Sequence, residues 1–432
     1  MKVSITTLGC KVNQCESEEL MDRLAGMGFQ QAREGEKADL YVVNTCTVTA
    51  KTDYQSRQAI RRAAKAHPGS PIVVTGCYAE VASGEISKIP GVVLIAGNRE
   101  KNGLPEIISS IMVREKWKSL SGAGPEEPES AFSNVSRRTR AFLKIQDGCE
   151  SFCTYCIVPY ARGGYRSMDE NQILHKISSL ERRGFKEVVL SGIHLGMYGH
   201  DLTPRTDLLA LLRRLEKKLV HIERIRLSSI EPAEISDAMV AHMKDSRVLC
   251  HHFHVPLQSG DNRILTLMKR YYNIDFFRKL ILKIVDSLPD AAIGLDVMVG
   301  FPGEGESEFR NTVDLISEIP VAYLHVFPYS QRPGTVAALM PGQVPEKTKK
   351  ERAAVLRMLG KEKRKAFAQR FVGRKLSVLV ESKKDSTSGL MTGFSRNYIP
   401  VLIAGGGPSL CNRVVDIRAE RVSGGTLIGT VV

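Results

Sequence analysis

Cys149, Cys153 and Cys156 stand in the run Asp147-Gly148-Cys149-Glu150-Ser151-Phe152-Cys153-Thr154-Tyr155-Cys156, directly after a strand-like segment. Three thiolates on one short loop can hold three irons of a cubane iron–sulfur cluster and leave the fourth iron open to a small ligand. Such thiols could also bind zinc, but a structural zinc site wants four closed ligands, commonly as two close pairs, and no second pair lies nearby. The remaining alternative is three unrelated thiols.

Three more cysteines follow strand-like runs by a residue or two: Leu8-Gly9-Cys10, Asn44-Thr45-Cys46 and Thr75-Gly76-Cys77. Each alone reads as a small buried hydrophobe. In an open parallel sheet, however, the carboxyl ends of the strands share one rim, where ligands bind. Cys10, Cys46 and Cys77 are therefore expected to form a second three-thiolate cluster site. Cys15, in the following helix, Cys250, opening a strand, and Cys411, in the C-terminal region, read as packing residues. Nine cysteines, an odd number, argue against a disulfide framework and for metal or redox chemistry.

The elements that must position these thiols are legible from the hydrophobic pattern. Residues 1 to about 115 alternate strands (Lys2–Leu8, Ala38–Asn44, Pro71–Thr75, Val92–Ile95) with helices, as an open parallel α/β sheet does. A Gly/Pro/Glu/Ser-rich stretch at 119–135 reads as a linker. Six further strands are expected at Ala141–Gln146, Glu187–Ser191, Arg224–Ser229, His252–Gln258, Ile293–Val299 and Tyr323–Pro328. They alternate with helices at Asn171–Arg183, Leu208–Lys218, Asn262–Lys269, Phe276–Ser287 and Glu306–Ser317. This is the pattern of a partial, open (β/α)6 barrel with its chemistry at the strands' C-terminal ends. Residues 346–370 form a basic helix with Val355, Leu356, Leu359 and Phe367 near one stripe, and 371–432 a small antiparallel β-barrel. Arg396, Asn397 and Tyr398 are candidates there to meet nucleic acid.

The chain has 432 residues, with 43% hydrophobic and 25% charged, which is ordinary for a globular protein of two or three domains. No apolar stretch is long enough to cross a membrane and no signal-peptide core opens the chain, so a cytoplasmic protein without membrane association is expected. A net charge of +14 points to a polyanionic partner.

With its aromatic Tyr155 before the last cysteine, the cysteine loop resembles the radical S-adenosylmethionine (SAM) signature, and nearly the whole chain resembles a radical-SAM methylthiotransferase. The resemblance rests on Thr7-Leu8-Gly9-Cys10-Lys11-Val12-Asn13-Gln14, Asn44-Thr45-Cys46-Thr47-Val48-Thr49, Gly76-Cys77 and Gly148-Cys149 through Cys156-Ile157-Val158-Pro159-Tyr160-Ala161-Arg162-Gly163. Ser191-Gly192-Ile193-His194, Ser228-Ser229-Ile230-Glu231-Pro232, Val255-Pro256-Leu257-Gln258-Ser259-Gly260 and Val299-Gly300-Phe301-Pro302-Gly303-Glu304 extend it. It implies an auxiliary-cluster domain at 1–118, a radical-SAM core at 136–345, a connecting helix at 346–370 and a TRAM-like RNA-binding domain at 371–432.

The resemblance further implies two 4Fe–4S clusters, one on Cys10, Cys46 and Cys77 to carry the sulfur, the other on Cys149, Cys153 and Cys156 to cleave SAM. One SAM would donate a methyl group and a second the radical that opens a C–H bond. SAM's polar groups would meet Ser191, Gly192, Gln258, Ser259 and Asp296 at or near strand ends, and Arg162 and Arg166 would reach phosphate. The implied partners are tRNA, an electron donor such as flavodoxin or ferredoxin, and a sulfur source. Thr47-Val48-Thr49 and the run Ser56-Arg57-Gln58-Ala59-Ile60-Arg61-Arg62 look like the branch acting at C2 of N6-threonylcarbamoyladenosine beside the anticodon. Two other branches act on isopentenyladenosine and on a ribosomal protein aspartate. From another class, a non-catalytic iron–sulfur RNA-binding or redox-sensing protein would carry similar thiols.

Overall fold

The apolar runs near the N-terminus form β1 (Lys2–Thr7), β2 (Gln30–Gln31), β3 (Leu40–Thr45), β4 (Ile72–Gly76) and β5 (Val92–Ala96). Between them lie α1 (Lys11–Gly26), α2 (Ala50–Ala66), α3 (Cys77–Val81) and α4 (Ser83–Ile86), with α5 (Leu104–Ser119) closing the series. The computed structural model describes residues 1–33, 35–119 and 139–432, so the linker expected at 119–135 lies, save its first residue, outside the described residues. The chain divides into two units. One takes the described residues through 119 with Gly148–Glu150 and Cys156–Gly164; the other takes 139–147, Ser151–Tyr155 and Tyr165–Val432.

In the first unit the sheet order is β2-β1-β3-β4-β5 and every pair is parallel. Every residue of β3 and β4 is buried, as a parallel sheet covered on both faces requires. Leu40, Val42 and Val73 pack on one face against Leu20 and Leu24 of α1 and Ile108 of α5. Tyr41, Val43 and Val74 point the opposite way, toward Ile60 of α2 and Tyr78 of α3, as a period of two dictates.

The second unit opens with β6 (Arg140–Lys144) and β7 (Gln146–Asp147). Next come α6 (Val158–Arg162), which belongs to the first unit, β8 (Arg166–Ser167), α7 (Glu170–Arg182), β9 (Glu187–Ser191), α8 (Leu208–Lys218), β10 (Arg224–Leu227) and α9 (Asp237–Asp245). It continues through β11 (His252–Gln258), α10 (Asn262–Leu267), α11 (Ile274–Ser287), β12 (Ala292–Val299), α12 (Glu306–Glu318) and β13 (Tyr323–Pro328). Two three-stranded sheets, β6-β9-β10 and β11-β12-β13, are joined by parallel bridges Ile225↔Leu249 and Ser229↔His254. Six parallel strands thus run in series, and among the described residues β6 and β13 are not paired, which leaves the barrel open. Val188, Ile225, Val255 and Leu295 from the strands bury against Ile177, Leu212, Phe277 and Leu315 from the helices. Each is worth about 1.5–3 kcal/mol of burial. The short α9, N-capped by Ser236, is absent from the helices read in the sequence.

The helix α13 (Glu346–Gln369) links two cores, since Ala353 and Leu356 join that of the open barrel while Phe367 and Ala368 join that of the C-terminal strands. Its stripe is shifted from the expected one, because Val355 is exposed while Lys349 and Arg352 turn inward. Arg352 Nη1 donates to the backbone oxygen of Glu304 at 2.9 Å and to its Oε1 at 2.7 Å.

The chain ends in β14 (Lys375–Lys384), β15 (Met391–Ser395), β16 (Pro400–Ala404), β17 (Val414–Ser423) and β18 (Thr426–Val431), a closed barrel in the order β14-β15-β16-β18-β17. The all-antiparallel expectation is corrected at one seam: β16 and β18 run parallel. Five strands cannot alternate direction all the way round a closed ring, so one parallel pair is unavoidable.

Candidate functional site

Cys10 is the N-cap of α1, Cys46 follows β3 and lies just before the Thr49 N-cap of α2, and Cys77 is the first residue of α3. All three thus stand at strand-to-helix turns on the carboxyl rim of one parallel sheet. The backbone there is crowded. Gly9 has φ +101°, and a Cβ on it would meet Cys46 Cβ at 2.6 Å and Sγ at 2.8 Å. Gly76 also has φ +101°, and its Cβ would fall 2.3 Å from the Thr45 carbonyl oxygen. Only glycine lets these turns press together.

Cys10 is exposed, whereas Cys46 and Cys77 are buried. Asn13 fastens the turns by donating from Nδ2 to the carbonyls of Leu8 (2.7 Å) and Thr45 (2.9 Å). Asn98 Nδ2 approaches Cys77 Sγ at 3.6 Å. Burial pushes the Cys46 thiol up to about 11; negative charge on Cys77 and Cys10 adds to that, and hydrogen bonds from Val48 and Thr52 oppose it. Soft sulfur donors that repel one another when ionised suit a cationic iron–sulfur group, so the donor chemistry of this site fits such a cluster.

The loop carrying Cys149, Cys153 and Cys156 is crossed by the division between the units: Cys149 and Cys156 fall in the first, Cys153 in the second. In the first, the Cys149 N–H donates to the Gly163 carbonyl at 3.0 Å. In the second, Thr154 is tied down three ways: its N–H to Met268 O (3.2 Å), its Oγ1 to Leu267 O (2.8 Å), and its carbonyl accepting from Ala337 N (2.8 Å). Phe152 has φ 44°, a left-handed backbone rare outside glycine. Arg270 Nη1 lies 3.3 Å from Cys153 Sγ, and its Nη2 is paired with Glu231. Burial lifts the Glu231 carboxyl above its ordinary range although Arg270 and His194 pull it down. This charged pair beside the Cys153 thiol is not among the site residues read from the sequence. The signal for Glu231 was present, a carboxylate in the turn after β10, but nothing in sequence brings Arg270 to it.

The residues expected to meet SAM are variously placed. Ser191 ends β9 and is buried, and Gly192 follows it. Gln258 ends β11 with φ 62° at an irregularity in the pairing with β12. The buried Ser259 hydroxyl accepts from the Asp261 N–H at 3.2 Å. Asp296 lies within β12, where its Oδ1 is 2.8 Å from His254 Nε2 and 3.3 Å from His325 Nδ1.

Two expectations about phosphate and nucleic-acid contacts are corrected. Arg162 is almost fully buried within the first unit, with Nη1 on Glu16 Oε1 at 2.8 Å and Nη2 on Asn13 Oδ1 at 2.6 Å, and Lys101 also pairs with Glu16. It holds α6 to α1 and is not presented to a phosphate. Arg166, by contrast, is half-exposed and only 3.3 Å from Asp147. Arg396, Asn397 and Tyr398 are spent inside the second unit. Arg396 donates to Ser246 O (2.9 Å) and Leu249 O (2.8 Å), Asn397 Nδ2 to Asp290 O (2.9 Å), and Tyr398 stacks on Phe394 beneath Arg226.

Residues 2–97 match the uncharacterized protein family UPF0004, and residues 143–316 match the radical SAM superfamily. The chain is 38% identical to threonylcarbamoyladenosine tRNA methylthiotransferase MtaB of Bacillus subtilis, over 93% of this chain and 90% of that one. It is 41% identical to the protein of the same name from Aquifex aeolicus, over 88% and 93%. The tRNA-2-methylthio-N(6)-dimethylallyladenosine synthase of Pelotomaculum thermopropionicum is 37% identical, over 96% and 94%. Among solved structures, the radical SAM methyltransferase TsrM from Kitasatospora setae, with cobalamin and a 4Fe–4S cluster bound, superposes with a TM-score of 0.59 at 13% identity, over 78% of this chain and 77% of that one, a likeness of fold.

Proposed function

The chain belongs to the radical-SAM tRNA methylthiotransferases, and we propose that it inserts a methylthio group at C2 of N6-threonylcarbamoyladenosine beside the anticodon of tRNA, using two SAM per turnover. The observation that carries the reading is the placing of Cys10, Cys46 and Cys77 at three strand-to-helix turns of one sheet rim, in a chain with a second cysteine triplet in its SAM-type loop. Two 4Fe–4S clusters and SAM supply, when bound, the one-electron cleavage and the sulfur that an inert C–H bond requires.

The chain's own part is to hold and orient. Cys149, Cys153 and Cys156 would hold the cluster that meets SAM; Cys10, Cys46 and Cys77 would hold the auxiliary one. Arg270 and Glu231 offer a cation and a carboxylate beside Cys153, matching the carboxylate and ammonium of SAM's methionine. Gln258, with its left-handed backbone at the end of β11, and the Ser191-Gly192 turn would orient the rest. Ser259, with its hydroxyl engaged by its own turn, would serve by backbone, and Asp296 at a distance through its histidine contacts.

We assign 1–118 to the auxiliary cluster, 136–345 to the radical-SAM core, 346–370 to a connecting helix and 371–432 to a TRAM-like RNA-binding barrel. An external electron donor, such as flavodoxin or ferredoxin, and a sulfur source complete the requirements. Cytoplasmic work on tRNA is the setting this reading implies; among the described residues no helix is long and apolar enough to cross a membrane.

The branch is tested by competition. Offered equal amounts of threonylcarbamoylated and dimethylallylated tRNA, the cluster-loaded protein should methylthiolate the first at least about tenfold faster, a difference of about 1.4 kcal/mol at the transition state. Preference for the second would move the chain to the other tRNA branch.

A further inference from the structure

Besides the two cysteine triplets, the chain carries a further group of ligating side chains: three adjacent strands of the open barrel bring a carboxylate and two imidazoles together. His254 of β11, Asp296 of β12 and His325 of β13 place one ligand atom each within 4.8 Å of one another, the single such set among the described residues. The register accounts for the cluster: Asp296 pairs directly with His325, and His254 pairs with Gly294, two residues before Asp296, so all three side chains leave the same sheet face. Paired strands fix such positions far better than loops do.

An outer partner is present as well. Tyr323 Oη is 3.1 Å from His254 Nδ1 and 2.8 Å from His252 Nε2. It can therefore accept from the Nδ1–H of His254 and donate to His252. As it stands, the 2.8 Å contact of His254 Nε2 with Asp296 Oδ1 is a hydrogen bond donated by the imidazole; a bound ion would take the place of that Nε2 proton, and the tautomer with Nδ1–H on Tyr323 is then the one in which histidine ligates a metal. A Cβ at Gly294 would strike the Tyr323 ring at 2.0 Å, so glycine at this register position makes the room. The site opens to solvent on one side, since the His325 side chain is 48% exposed while those of His254 and Asp296 are 12% and 22%.

We propose that His254, Asp296 and His325 form a binding site for a divalent first-row transition-metal ion, separate from both iron–sulfur clusters. Two imidazoles and one carboxylate are a nitrogen–oxygen donor set suited to such ions, and they leave coordination positions open on the solvent side. Metal–ligand bonds of about 2.0–2.1 Å require ligand atoms no more than about 4.2 Å apart. The two separations from Asp296 Oδ1, 2.8 and 3.3 Å, already meet that limit, and the two imidazole nitrogens lie within 4.8 Å of each other.

The test uses zinc as the probe on the full chain with both clusters reconstituted, kept anaerobic. After titration and desalting, zinc and iron are counted by elemental mass spectrometry, and zinc affinity is measured by calorimetry. The proposal expects one zinc per chain with iron unchanged. It expects zinc to be lost in Asp296→Asn and His325→Ala while iron is retained, and Tyr323→Phe to bind about 10- to 100-fold more weakly, as loss of an outer partner does. His325→Ala changes a half-exposed side chain, so it remains informative should Asp296→Asn fail to fold. Zinc taken up with loss of iron, zinc retained equally by both variants, or no zinc at all would each overturn the proposal and leave the three residues as a hydrogen-bonded triad.

Discussion

The two cysteine triplets are chemically alike yet are assigned different work, and single substitutions separate them. Alanine offers iron no ligand. Cys153→Ala should abolish 5′-deoxyadenosine release, whereas Cys46→Ala should keep some release and make no methylthio product; equal loss of cleavage in both would argue against the division of labour. Before cluster loading, Cys46 should also behave as a buried thiol. With its pKa pushed up to about 11, its alkylation in the cluster-free chain should rise about tenfold per pH unit between pH 7 and 10, because only the thiolate reacts. A rate flat above pH 8 would show that the thiol is already ionised. The cysteines were readable because thiol spacing is local and few chemistries use it. Arg162 was not: next to a cysteine loop it looks like a phosphate reader, and its partner Glu16 lies 146 residues away, visible only once α1 and α6 are packed.

Among the elements, the β9–β10 pair shows how the C-terminal barrel is held within the second unit. Glu187, fully buried, pairs with Arg226 at 2.7 Å and lies 3.7 Å from Arg224. Those arginines reach on to the carbonyls of Arg396 (3.1 Å) and Phe394 (3.0 Å). Burial alone would raise the Glu187 carboxyl, but Arg226, Arg140 and Arg224 outweigh it and hold the pKa below the ordinary range. Removing that charge strands two buried cations, so Glu187→Gln should cost about 3–5 kcal/mol in urea unfolding. A depressed carboxylate pKa adds stability above its unfolded value and loses it as pH falls through the folded one. The gap between wild type and variant should therefore narrow below about pH 4; a gap independent of pH would assign the loss to packing. The long strands were legible because buried parallel strands read as continuous apolar runs, and β9, β11 and β13 begin and end where the pattern places them. The nine-residue α9 has too short a buried face to announce itself, and the parallel β16–β18 seam follows from ring closure, which no local pattern contains.

For the whole molecule, 61 Lys and Arg against 47 Asp and Glu suit a polyanionic substrate even though two cations expected at the RNA surface, Arg162 and Arg396, are used internally. Binding to tRNA should weaken by at least about 100-fold between about 50 and 200 mM salt, since each neutralised phosphate contributes a log–log slope of about −0.7 to −0.9. Affinity indifferent to salt would remove charge as the basis of recognition. Family and chemistry were legible along nearly the full length because the cysteine motifs and strand-end turns are contiguous in sequence. The contacts that assemble distant segments, such as Arg270 with Glu231 and the histidine–carboxylate cluster, were not. The most direct test of the account is mass spectrometry of nucleosides from threonylcarbamoylated tRNA incubated anaerobically with the cluster-loaded protein, SAM and a reductant, with 5′-deoxyadenosine assayed in the same sample. A methylthio adduct of threonylcarbamoyladenosine together with 5′-deoxyadenosine is expected; unmodified nucleoside with no 5′-deoxyadenosine, from protein shown to carry both clusters, would contradict a methylthiotransferase acting on this nucleoside.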